Sequence, residues 1–88
     1  MGENNKTVNL QTLTVEWIDG SEREIEFGKN LAELIFKQTA KINEHIFATE
    51  LYKNPIVVLN EENKEIIRKY TEEGFLAYVQ VAVYKLLD

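Results

Sequence analysis

The stretch from Leu31 to Tyr52 contains neither Gly nor Pro and repeats apolar residues at helical spacing. In so short a chain, everything else has to fold around it. Its apolar stripe begins as Leu31, Leu34, Ile35, Gln38 and Ile42. At about 100° per residue, Leu51 then rotates to the far side from Leu31 and Ile35. One straight rod cannot bury both sets, so the stretch reads as two helices, about Leu31 to Ala40 and about Glu44 to Lys53. Asn30 is the expected cap of the first, with Glu33 completing a capping box. Asn43 is the expected cap of the second, with Ile42 stapled onto Phe47. The second helix is expected to bury Phe47, Ala48 and Leu51, with Tyr52 beside them.

Upstream, Thr7 to Phe27 is rich in β-branched and aromatic residues and carries a turn signal at Asp19-Gly20-Ser21, which predicts a hairpin. A two-residue loop would set carboxylates beside the apolar set. A three-residue loop, Asp19 to Ser21, pairs Val15 with Ile25, Leu13 with Phe27 and Trp17 with Arg23, so the apolar residues share a face. Trp17 then either stacks with Arg23 or lies half-buried at the sheet edge. The alternation changes phase between Val8, Leu10 and Leu13, Val15, Trp17, which predicts a bulge or break near Gln11 or Thr12. Met1 to Lys6 is polar and reads as a loose end. Gly28, lacking Cβ, suits the strand-to-helix turn.

Downstream, Pro55 stops the second helix, and Ile56-Val57-Val58-Leu59 reads as a short buried strand pairing with the free start of the first. Asn60 caps a third helix with Glu61 and Glu62 in its first turn, Ile66, Ile67 and Tyr70 as its apolar side, and Gly74 at its end. Phe75 to Leu87 has many strand-favouring residues. As a strand it does not alternate cleanly, whereas a helix places Phe75, Val79, Ala82, Val83 and Leu86 on one face, and helix is the reading adopted. The expected fold class is α+β: an N-terminal antiparallel β-hairpin with a third short strand at Ile56–Leu59, packed against about four short helices in a single domain over residues 1–88.

Composition excludes several functions. The chain has 88 residues and no cysteine, which removes disulfides, thiolate metal sites and a cysteine nucleophile. A net charge of -5 repels a phosphate backbone and argues against direct nucleic-acid binding. No run approaches the roughly 20 apolar residues needed to span a bilayer, and Met1 to Lys6 has no apolar core following a basic segment, so export is not expected. The expected setting is cytoplasmic, without membrane contact. His45, the lone histidine, offers no metal-ligand spacing and reads as a surface residue. Ser21 lies in a turn with no base beside it. Glu16, Glu24 and Glu26 share the solvent side of the hairpin with Thr14. No catalytic, cofactor-binding or metal residue is expected, and no enzymatic activity. Tyr52, Tyr70, Tyr78 and Tyr84 cannot all be buried in so small a core, and Tyr is favoured at interfaces. Tyr78, Val81, Tyr84 and Lys85 fall away from the main stripe of the last helix and are the expected surface for another protein or for self-association.

The hairpin, Leu31-Ala32 with Ile35-Phe36, Ala48 with Leu51-Tyr52, and Val57-Val58-Leu59-Asn60-Glu61-Glu62 together resemble a pattern in small acidic proteins encoded by bacteriophages and prophages. The similarity runs from Val15 onward, and its motifs are structural. It implies a viral or mobile-element accessory protein and carries no catalytic residues. Two functions follow as expectations: a non-enzymatic interaction or assembly protein, or an acidic mimic of nucleic acid that blocks a host DNA-binding protein or nuclease.

Overall fold

The computed structural model describes residues 6–87. In chain order these form β1 (Thr7–Asn9), β2 (Thr12–Glu16), β3 (Glu22–Glu26), α1 (Gly28–Gln38), α2 (Ile42–Lys53), β4 (Ile56–Val58), α3 (Glu61–Gly74) and α4 (Ala77–Leu87). The fold is α+β, as the sequence predicts, and the last segment is a helix. The strands form two separate antiparallel ladders, β2 with β3 and β1 with β4. The phase change near Gln11 becomes a complete break: Leu10 and Gln11 leave the strand, and Asn9 Oδ1 accepts from the Gln11 N–H at 2.9 Å.

The apolar residues of the hairpin do share a face, but the turn sits one residue earlier than expected. Leu13 lies opposite Ile25 and Val15 opposite Arg23, and the loop is Ile18-Asp19-Gly20, closed by the Trp17 N–H donating to the Ser21 carbonyl at 2.7 Å. Gly20, at φ 87°, takes the left-handed position that completes a three-residue loop. The Asp19 carboxylate accepts from both the N–H and the hydroxyl of Ser21. Because both loops are odd, the shift preserves which residues face the core. The Arg23 guanidinium lies 4.5 Å over the Trp17 ring, so that stack forms even in the shifted register.

Strand β4 pairs with β1, with Val8 opposite Val57. The Leu59 N–H also donates to the Lys6 carbonyl at 2.7 Å, so the expected loose end does not include Lys6; residues 1–5 of that expectation lie outside the described residues. The outer edge of β4 is partly sealed by side chains, since Asn54 Oδ1 accepts from the Ile56 N–H and Asn63 Nδ2 donates to the Val58 carbonyl.

Both expected caps in the central stretch are corrected. Helix α1 starts at Gly28 with no side-chain cap, and Asn30 instead donates from Nδ2 to the Glu26 carbonyl at 3.0 Å. A Cβ on Gly28 would lie 3.0 Å from the Leu10 carbonyl oxygen, so a side chain here would press on the Leu10 backbone. The stripe of α1 is Leu31, Ala32 and Ile35; Gln38 is exposed. The stretch breaks into two helices, but at Thr39-Ala40-Lys41. Helix α2 starts at Ile42, with Lys41 and not Asn43 at the cap position and no side-chain cap. The Asn43 side chain reaches Glu62 instead, and Ile42 is exposed rather than stapled to Phe47. Thr39 organises the corner, accepting from the Lys41 N–H at 3.0 Å.

The third cap is as expected, with Asn60 Oδ1 accepting from the Asn63 N–H at 2.8 Å. The core gathers Leu10, Val15, Phe27, Leu31, Ile35, Ile67 and Val83, all fully buried. Burial of each large apolar side chain stabilises by about 1.5–3 kcal/mol. The Phe27 ring meets Phe75 at 5.2 Å, tying the end of the hairpin to the α3–α4 junction. Along α4, Val79, Ala82, Val83 and Leu87 are buried and Leu86 packs partly against the core; Phe75, expected on the same helical face, lies before the helix as the C-cap of α3 and is also partly buried.

Candidate binding surface

Helix α4 presents Tyr78, Val81 and Lys85 side by side over Thr14, Glu16 and Glu22 of the hairpin. The Tyr78 ring stands edge-on to Trp17, with centroids 5.5 Å apart, and Lys85 Nζ lies 3.9 Å from Glu16, both ends exposed. Tyr84 is separate: its hydroxyl donates to Glu72 of α3 and its ring is half-buried. That bond, with burial and the carboxylate charge, raises the Tyr84 pKa. Of the four residues expected to form a partner surface, Tyr84 joins two helices of its own chain, and Tyr78 and Lys85 already engage the hairpin. Tyr78, Val81 and Lys85 nonetheless remain exposed.

One polar cluster was not singled out from the sequence. Glu44 is only 5% exposed. Its Oε1 accepts from the Tyr70 hydroxyl at 2.6 Å and from the Thr39 hydroxyl at 2.7 Å, and Lys69 Nζ lies 3.6 Å from Oε2. The Tyr70 bond foremost, then the Thr39 bond, hold its carboxyl below the ordinary range against the opposing effect of burial, and Lys69 and Lys41 add to the lowering. With its acceptors taken by protein donors, this carboxylate locks α2 to α3. The signal was present in the spacing: Glu44 stands one turn before Ala48 and two before Leu51, on the buried stripe of α2. His45, next to it, is exposed and packs on the Phe36 ring at 4.9 Å. Ser21 donates its hydroxyl to Asp19 within the turn.

A second region of apolar exposure lies on the helical hairpin α1–α2. Lys29 Nζ reaches the Tyr52 ring at 5.5 Å at one end and Phe36 reaches His45 at the other, so the helices run antiparallel. Phe36 is 54% exposed, Ile42 78%, Ile46 51% and Tyr52 47%. Helix α2 is thus apolar on its inner side, at Ala48 and Leu51, and again on its outer side. The side of a surface helix that faces away from the core is expected to be polar. Between the helices runs a groove of about 390 Å³, floored by Ala32 and Ala48, walled by Phe36 and Tyr52, and edged by Glu33, Lys37, Thr49 and Lys53.

Among the described residues no group of three or more His, Cys, Asp or Glu is placed to hold a metal ion, and no helix is long and apolar enough to cross a membrane. No protein-family model, curated protein or solved structure matches the chain.

Proposed function

We propose that the protein is a non-enzymatic binding module that captures another protein on the outer face of α1–α2. The observation that carries this is the groove between the two helices, walled by the half-exposed rings of Phe36 and Tyr52, with Ile42 and Ile46 exposed elsewhere on α2. Apolar side chains clustered on a surface cost free energy in water and are a mark of interaction sites. Aromatic residues flanking a small-residue floor are the kind of anchor pocket that dominates interface energies. This reading puts the binding surface on α1–α2 rather than on Tyr78, Val81, Tyr84 and Lys85, of which Tyr84 is tied to Glu72 and Tyr78 and Lys85 also touch the hairpin. It accords with the accessory role that the resemblance to bacteriophage and prophage proteins implies.

The test uses the chain as bait in a lysate of the cell that carries it, beside a Phe36→Ser/Ile46→Ser variant with the same circular dichroism and melting temperature. The expected result is a protein retained by the wild type and lost with the variant. Equal capture by both, together with loss from a Tyr78→Ser/Val81→Ser variant, would return the surface to α4.

A second reading, mimicry of nucleic acid, has one observation in its favour: Glu16, Glu22, Glu24 and Glu26 are all exposed on the hairpin, with Glu16 directly opposite Glu22. Like charges so placed repel each other. Capture through these carboxylates would fall steeply as salt is raised and would survive Phe36→Ser/Ile46→Ser; the apolar-face reading predicts the reverse on both counts.

A further inference from the structure

The α1–α2 groove is one half of a contact, and its shape and charge specify the other half. Resting on the proposal that this face is the binding surface, we infer that its occupant is an amphipathic helix of another protein, whose apolar stripe is flanked by Asp or Glu.

The shape argues for a helix. Two antiparallel helices leave a straight furrow between them, and here its floor is lowered by Ala32 and Ala48 while Phe36 and Tyr52 rise at opposite ends. A third helix seated in such a furrow presents apolar side chains at i, i+3 or i+4, and i+7 to the floor and between the two rings. An added strand would need an unpaired sheet edge, which a face made only of α1 and α2 does not offer.

The charge argues for acidic flanks. Lys37 and Lys53 edge the groove, and Lys29 lies over Tyr52; Glu33 is the lone acidic residue of the lining. Among the described residues the ion pairs involve Lys69 and Lys85, so these three lysines are available to a partner. In a chain of net charge -5, this positive rim is a local reversal of sign. It complements carboxylates, and it would repel the strongly basic partners that the rest of the surface attracts.

A second copy of the chain fits poorly. A two-fold pairing of this face on itself would bring the same lysines together. The acidic segments of the chain, β2–β3 and α3, turn their apolar sides, with Leu13, Val15, Ile66, Ile67 and Tyr70, into their own core.

The experiment selects from a displayed library of helix-forming peptides of about 18 residues, five turns, with the flanking and stripe positions randomised without charge bias. Selection is run on the wild type and counter-selected on a folded Phe36→Ser/Tyr52→Ser variant. The expected winners carry a three- or four-residue apolar repeat with Asp or Glu beside it. The best of them, made as a free peptide, should bind the Lys37→Glu/Lys53→Glu variant about tenfold or more weakly, with the loss shrinking as salt is raised. Winners with neutral or basic flanks, or with Pro in the binding stretch, would overturn the acidic-helix inference while leaving the binding face in place. No winner that discriminates against Phe36→Ser/Tyr52→Ser would overturn both. A concentration-dependent dimer in light scattering, abolished by Phe36→Ser/Tyr52→Ser, would assign the groove to a second copy.

Discussion

At the scale of single residues, the least anticipated feature is Glu44. A carboxylate at this depth is retained because two hydroxyls and an ammonium group face it. Removing one donor leaves a buried charge short of a partner, so Tyr70→Phe should destabilise the chain by about 2 kcal/mol in denaturant unfolding. The pH dependence has a definite sign. The folded-state pKa of Glu44 is lowered, so its contribution is present above the ordinary glutamate value and drains away as pH falls through the lowered one. Wild type should exceed Glu44→Gln in stability at neutral pH, and the gap should close in acid; a gap independent of pH would refute the ionised assignment. Thr71 is the converse case. Its hydroxyl is fully buried and Oγ1 has no hydrogen-bond partner. Thr71→Val, similar in shape, should raise stability by about 1 kcal/mol, where an ordinary buried polar deletion lowers it.

At the scale of elements, the corner between α1 and α2 shows what local sequence signals can and cannot determine. The drift of the apolar stripe correctly required a break between Leu31 and Tyr52. Cap preferences then placed it at Asn43, whereas Thr39, through bonds to Lys41 and Glu44, sets it near residue 40. Thr39 gains its role from a glutamate that is itself fixed by Tyr70 across α3, a tertiary relation invisible to a local pattern. Thr39→Ala should therefore cost about 1–2 kcal/mol, within the range for a lost cap or buried hydrogen bond, and Asn43→Ala should cost almost nothing; melting curves of the two variants decide between the two corners. The hairpin turn moved for a simpler reason, since Gly20 is needed where φ is positive. Asn60 was legible because its cap is purely local. The proposed binding surface was the least legible element. Helical spacing identified the outward side of α4, but exposure there depends on Trp17, Glu16 and Glu72, which come from other elements. The exposed side of α2 could have been read from Ile42 and Ile46, one turn apart and opposite Ala48 and Leu51.

At the scale of the molecule, the chain is a flattened body of 40 × 35 × 20 Å. The hairpin carries exposed Glu16, Glu22, Glu24 and Glu26, the last beside Lys29 and Lys53 at the Tyr52 end of the α1–α2 face, so a net charge of -5 conceals a locally basic rim. Two consequences follow. The free chain should remain a monomer of 10.2 kDa in light scattering at low salt, since like-charged faces meet in a symmetric pair. A partner should meet the face through apolar anchors, with the lysines setting its orientation and association rate. The most direct test of this account is amide hydrogen exchange of the chain with and without its captured partner. Added protection over residues 32–37 and 45–53, with 76–85 exchanging as in the free chain, is the predicted result. Added protection confined to 76–85, with the α1–α2 face unchanged, would contradict it.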